Sequence, residues 1–217
     1  IHGPVTDLDG DGDLDIVVLF SQEWETVQAF INDGRGHFTP IVLHDVADSD
    51  YSSSGISVGD IDGDGDPDLF LQERPGELML FENVGEPSRP DFVWRTDRYQ
   101  NLPVGEWTRF VDFDRDGDFD LLSERPFSYV QYFRNEGTAS VAAFTAVGDS
   151  VRDVSGEPVF ADRQNIPNVN DIDCDGNWDL FLGRVNGTIS RYEAASMTPD
   201  GAPVFRFSED RFQGIEI

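Results

Sequence analysis

The residues with the clearest chemistry in this chain are aspartates at alternate positions of a short loop, and the loop occurs four times. Asp7-Leu-Asp-Gly-Asp-Gly-Asp-Leu-Asp15 returns as Asp60-Ile-Asp-Gly-Asp-Gly-Asp-Pro-Asp68, as Asp112-Phe-Asp-Arg-Asp-Gly-Asp-Phe-Asp120 and as Asp171-Ile-Asp-Cys-Asp-Gly-Asn-Trp-Asp179. Carboxylates at every second place of a nine-residue loop gather several oxygens around one point. Hard cations take six to eight oxygen ligands, and calcium accepts an irregular mixture of carboxylates and carbonyls. In the first loop Asp7, Asp9 and Asp11 would ligate through side chains from positions 1, 3 and 5. Gly12 allows the sharp turn, Asp13 ligates through its main-chain carbonyl, and Asp15 closes the site.

The corresponding sets are Asp60, Asp62, Asp64, Asp66 and Asp68, then Asp112, Asp114, Asp116, Asp118 and Asp120, then Asp171, Asp173, Asp175, Asn177 and Asp179. Position 7 is the ligand place that varies, as a backbone ligand permits, while positions 1, 3, 5 and 9 are aspartate throughout. Carboxylates about 4 Å apart repel by roughly 1 kcal/mol in water and about 4 kcal/mol at an effective dielectric of 20. Four around one turn therefore call for a cation, and its binding should add folding energy. The expectation is about four Ca2+, one per loop.

Other metal motifs fit poorly. An EF-hand needs a bidentate glutamate at position 12 and a following helix. Position 12 here is Val18, Leu71, Ser123 and Leu182, inside apolar β-like runs. Zinc would need softer ligands, and His2, His37, His44 and Cys174 have no ligand spacing.

The elements that must hold these loops repeat with them. First aspartates at 7, 60, 112 and 171 lie 53, 52 and 59 residues apart, a spacing that suits one four-stranded propeller blade with its connection. Each loop is followed by a short apolar run: Ile16–Phe20, Leu69–Leu71, Leu121–Leu122 and Leu180–Leu182. These are strand formers, too short for helices. A second alternating segment follows, at Val27–Ile31, Leu78–Phe81, Val130–Phe133 and Thr188–Tyr192, then turns with Asn32/Gly34, Asn83/Gly85 and Asn135/Gly137. A strand around Phe38, Phe92, Phe144 or Phe205 closes each unit. One such unit cannot bury both faces of its sheet, so units must stack. The fold class expected is all-β, a β-propeller of four-stranded antiparallel blades, at about 1–45, 55–97, 105–147 and 166–213.

The loop Asp-x-Asp-x-Asp-Gly-x-x-Asp, the apolar strand after it and the blade-length interval resemble the FG-GAP/VCBS repeat family. That resemblance covers essentially the whole chain. It implies a calcium-binding propeller like that of integrin alpha chains, certain fungal lectins and many bacterial secreted proteins. Family propellers usually have seven or eight blades, so the four visible ones, starting at Ile1, read as a segment of a longer polypeptide.

Composition sets the partners. The 217 residues include 43 acidic and 15 basic ones, a net charge of −28, which disfavours nucleic acid because a polyphosphate needs a basic footprint. No apolar run approaches a membrane span, and the single Cys174 excludes an internal disulfide. Calcium loops of this kind suit an extracellular, cell-surface or periplasmic setting.

In a meander, the turns between second and third strands and the connections between units lie on the face opposite the acidic loops. That face would carry Trp24, Tyr51, Arg74, Tyr99, Trp107, Arg125, Tyr129 and Arg184. Trp24, Arg74, Trp107, Arg125 and Arg184 are the candidate residues for a protein or glycan ligand. The competing reading of the arginines is pairing with neighbouring acids such as Glu73 or Glu124. No nucleophile elbow or Cys/His pair is present. The function expected is a non-catalytic binding or adhesion module. Alternatives are the propeller portion of a larger carbohydrate-active enzyme, such as a polysaccharide lyase, or a structural subunit of an assembly.

Overall fold

The computed structural model describes residues 3–20, 26–45, 55–74, 76–86, 89–162 and 167–214. Alternation of apolar and polar side chains makes antiparallel sheets of the repeats. In the first, strands β1 (Val5–Thr6), β2 (Asp15–Phe20), β3 (Thr26–Asn32) and β4 (Phe38–Asp45) run in sequence order. The second has β5 (Gly55–Gly59), β6 (Asp68–Arg74), β7 (Glu77–Asn83) and β8 (Phe92–Thr96). The third has β9 (Thr108–Val111), β10 (Asp120–Arg125), β11 (Tyr129–Asn135) and β12 (Phe144–Val147). Each is a meander of the kind that forms one blade, and the fold class is that of an all-β repeat of propeller blades. Among the described residues helix is limited to two 3-10 turns, Tyr99–Asn101 and Phe212–Gly214, and no helix is long and apolar enough to cross a membrane.

The fourth sheet departs from four strands. After β13 (Arg152–Asp153) come β14 (Asn168–Asn170), β15 (Asp179–Gly183), β16 (Ile189–Met197) and β17 (Pro203–Glu209). Strand β13 precedes the sheet in sequence yet pairs in parallel with its last strand, through Arg152↔Val204 and Asp153↔Phe205. The segment between the third and fourth expected blades thus contributes a fifth strand, Arg152–Asp153.

The chain divides into two compact units, Ile1–Thr108 with Ala139–Val141, and Arg109–Thr138 with Ala142–Ile217. In the first, Leu8, Val17, Leu19, Val27 and Ala29 pack with Ile56, Leu69, Leu71, Met79 and Phe81 in one buried cluster. Each of the larger side chains contributes about 1.5–3 kcal/mol when fully buried. In the second, Phe113 is the hub: its ring lies edge-on to Tyr132, Phe205 and Trp178, with centroids 5.8, 6.1 and 6.2 Å away. Phe113 occupies position 2 of its acidic loop, as do Leu8 and Ile61, which are also buried. In these three loops the apolar residue at that position pins the loop to the core, whereas Ile172 of the fourth is 51% exposed.

Candidate metal centres

Two internal hydrogen bonds recur in every acidic loop: position 6 N–H to the position 1 carboxylate, and position 7 N–H to the position 5 carboxylate. In the third loop the first of these runs from Gly117 to Asp112 at 3.2 Å. The position 1 carboxylate accepts backbone N–H groups from across the turn: Asp7 from Asp11 and Gly12 at 3.1 and 3.0 Å, Asp60 from Gly63 and Gly65 at 2.7 and 3.0 Å, and Asp171 from Asp175 and Gly176 at 3.1 and 2.9 Å. The position 5 carboxylate accepts the N–H of position 7 in all four, at 2.8–3.2 Å. These bonds curl the chain so tightly that position 6 takes φ of 94, 100, 97 and 90°, where only glycine is at ease. Position 4 is left-handed as well, and two side chains bear that conformation: Arg115 at 62° and Cys174 at 57°.

Position 9 locks the loop to the sheet. Its Oδ2 accepts the N–H of position 2, from Leu8, Ile61, Phe113 and Ile172 at 2.8, 3.0, 3.2 and 3.1 Å. In the first three sheets its Oδ1 accepts, at 2.8 Å, the N–H of the asparagine ending the third strand: Asn32, Asn83 or Asn135. The side chains of those asparagines close the next turn, accepting from Gly34, Gly85 and Gly137 at 3.2, 3.2 and 3.0 Å. Asp15, Asp68, Asp120 and Asp179 are all buried as a result.

The geometry gathers acids in every loop. Asp7, Asp9 and Asp15 bring one carboxylate oxygen each within 4.8 Å of the others, as do Asp60, Asp62 and Asp68, then Asp112, Asp114 and Asp116, then Asp171, Asp173 and Asp179. Positions 1 and 3 appear in every set; position 9 joins them in three loops and position 5 in the third. A further group, Asp173, Asp175 and Glu193, adds a glutamate from β16 that the loop pattern does not contain. In the third loop, Asp112 Oδ1 and Asp118 Oδ1 are buried and accept no hydrogen bond from the described residues. A buried carboxylate oxygen without a donor is costly, and an all-oxygen donor set with such an orphan fits a hard cation.

Electrostatics agree with that fit. Burial is the main cause that pushes Asp68 up to about 7 and Asp120 up to about 6, against the pull of their backbone hydrogen bonds. Asp9, Asp62 and Asp114 are also raised, first by burial and then by neighbouring carboxylates. Asp66 and Asp118 at position 7 rise mainly through burial. Asp173 moves the other way, held down chiefly by its bond to Arg191.

Residues 7–71, the first two loops with their strands, match the FG-GAP-like repeat family. That segment is similar to an FG-GAP-like repeat. The chain is also similar to a rhamnogalacturonan exolyase, YesX of Bacillus subtilis, at 32% identity over an 81-residue alignment covering 31% of this chain and 13% of the relative. The chain therefore spans a small part of the length of the curated relative it matches.

The residues expected on the face opposite the acidic loops fare differently. Trp24 and the side chain of Arg74 lie outside the described residues. Trp107 is not a surface residue: it is 3% exposed, a correction to its reading as a ligand platform. The stretch holding it, with Leu102 and Val104 also buried, is drawn inward because Gly76 in the β6–β7 turn donates its N–H to Val104 O at 2.8 Å.

Arg125 and Arg184 are consumed by the connection at residues 149–162. Arg125 Nη1 bonds to Asp149 O. Arg184 donates to Ser190 Oγ at 2.8 Å, Phe160 O at 2.9 Å and Tyr192 Oη at 3.3 Å, with Asp162 at 3.7 Å. Arg184 thus lies against an acid, Asp162, whereas Arg125 meets a main-chain carbonyl. The connection itself crosses the β10–β11 turn, where Val151 and Val159 exchange backbone bonds with Val130, and Ala161 donates to Ser128 O. Sequence reasoning missed Arg191 and Tyr132, whose side chains reach position 9 from the neighbouring strand. Only the strand register could have exposed them.

Proposed function

We propose that the FG-GAP-like loops bind calcium and that the chain acts as a non-catalytic, extracellular binding or adhesion module for protein or glycan. The observation that carries the calcium reading is the orphaned pair of oxygens in the third loop, Asp112 Oδ1 and Asp118 Oδ1. Two buried oxygens of one loop that accept no hydrogen bond from the described residues are what a hard cation would satisfy. Positions 1, 3 and 5 would hold the ion in that loop, and positions 1, 3 and 9 in the first two. Bound calcium would neutralise the clustered charge and so join loop closure to folding.

Recognition belongs, on this reading, to the face opposite the acidic loops. Its arginines in the second unit are engaged, and its most exposed apolar side chains are Phe127 in the β10–β11 turn and Val185 in the β15–β16 turn, 78% and 82% exposed. Phe127 and Ser128 both hold left-handed backbones, at φ of 73 and 64°, strain of the kind often kept at functional turns. Titrating the chain with calcium in a calorimeter, then screening the loaded protein for saturable glycan or protein binding, tests both halves. Absence of calcium uptake would end the metal reading. Calcium uptake with binding that is indifferent to Phe127→Ala and Val185→Ser would remove the proposed face.

A second reading, the propeller portion of a carbohydrate-active enzyme, is favoured by the similarity to the rhamnogalacturonan exolyase. Turnover of a rhamnogalacturonan by the full-length polypeptide would select it.

A further inference from the structure

The four acidic loops do not have the same wiring, and the difference lies in the fourth. In the first three sheets Oδ1 of the position 9 aspartate takes its hydrogen bond from an asparagine N–H. At that register the fourth sheet has Ala194, whose N–H goes to Trp178 O at 2.8 Å instead. The missing donor is replaced by a side chain. Arg191 Nε donates to Asp179 Oδ1 at 2.8 Å, and its Nη2 donates to Asp173 Oδ2 at 2.5 Å and lies 3.8 Å from Glu193.

Strand register shows why the other loops have no such group. Arg191 stands opposite Phe181, two residues past Asp179. The matching places are Ala29 opposite Val17, Leu80 opposite Phe70 and Tyr132 opposite Leu122. Ala29 and Leu80 carry neither charge nor donor. Tyr132 is neutral and gives one hydrogen bond to Asp120, at 2.7 Å. Arg191 alone brings a permanent positive charge, and its side chain is only 12% exposed. Guanidinium matches carboxylate geometry and does not deprotonate in proteins.

The remaining acids of this loop are satisfied as well. Asn177, at the position that is aspartate elsewhere, donates its Nδ2 to Asp175 Oδ2 at 3.1 Å. Asp171 accepts the N–H groups of Asp175 and Gly176. Each of the four aspartates thus has an in-chain donor, as in the first two loops, but only here is a donor a charged side chain reaching two of them at once. The separate acid group of Asp173, Asp175 and Glu193 shares the same guanidinium through Asp173 and Glu193.

We infer that Arg191 is a built-in cation that takes the place of a metal in the fourth loop, so that three loops bind calcium and the fourth folds without it. This rests on the proposed calcium reading of the other loops, and it replaces the count of four expected from the repeat. A divalent ion entering the fourth loop would meet a fixed positive charge and find two of its ligand oxygens already bonded.

Counting calcium by native mass spectrometry on the whole chain tests the inference. Wild type should saturate at three ions, Asp60→Asn at two, and Arg191→Met at four. Asp171→Asn, which leaves the Arg191 contacts intact, should leave the wild-type count unchanged. Should Arg191→Met fail to fold, Asp171→Asn decides alone. A wild-type count of four that falls to three in Asp171→Asn would overturn the role of Arg191 and leave the calcium reading standing. No calcium in the wild type would instead remove the reading of all the loops.

Discussion

Raising the pH in calcium-free buffer should weaken this fold, and adding calcium should reverse the trend. The cause lies in two aspartates, Asp68 and Asp120, each 1% exposed. Burial raises them from 3.8 to about 7 and about 6 respectively. A carboxyl group raised in the folded state binds its proton more tightly there than in the unfolded chain. Between pH 4 and the folded pKa the native state therefore holds more protons, and stability falls as pH rises. The difference is worth at most about 4 kcal/mol for Asp68 and about 3 kcal/mol for Asp120. Either is a large fraction of the roughly 5–15 kcal/mol that keeps a domain folded. The two residues belong to different compact units, so the losses need not merge into one transition.

Acids that are lowered instead, such as Asp33, Asp149 and Asp153, contribute stability that disappears only below the ordinary carboxylate range. They do not interfere above pH 5. Urea midpoints measured between about pH 5 and pH 8 should fall without calcium and hold or rise with it, since a cation favours the ionised form. A calcium-free midpoint that is flat or rises over that interval would refute the reasoning.

Two further outcomes are expected. Arg184→Ala removes the donor set that ties the connection at 149–162 to the fourth sheet, and should cost about 2 kcal/mol and open residues 149–162 to limited proteolysis. Tyr132→Phe deletes the 2.7 Å bond to Asp120 Oδ2; it should cost about 1–2 kcal/mol and raise the Asp120 titration midpoint further, read by carboxyl NMR.

Much of this was legible in the sequence because the signals were local. Alternating aspartates, a glycine at position 6 and a short apolar strand are specified within a dozen neighbours, so loops and blade order could be read directly. Position 9 was legible as aspartate, but its task of bonding Asn32, Asn83 or Asn135 was not, since those residues are paired only by strand register. Arg191 was hidden for the same reason: its partners Asp173 and Asp179 are 18 and 12 residues away. Trp107 was misjudged because loop position suggests exposure, whereas burial is settled by the chain folding back beneath the β6–β7 turn. The parallel strand β13 had no signal at all, being two residues long and polar.

That short strand has a consequence for how the protein is made and kept soluble. The outermost strand of a sheet presents unpaired N–H and C=O groups that invite pairing with another chain. In the fourth sheet part of that rim is covered by β13, synthesised before the strand it covers. The contact joins residues some fifty apart, so it forms only after the last strand exists, a late, non-local step in folding. Until Phe205 and its neighbours leave the ribosome, Arg152 and Asp153 have only local bonds, among them those to Pro158 and Glu157. A nascent chain stopped short of β17 would therefore lack its natural selvage and expose β16 as a sticky margin.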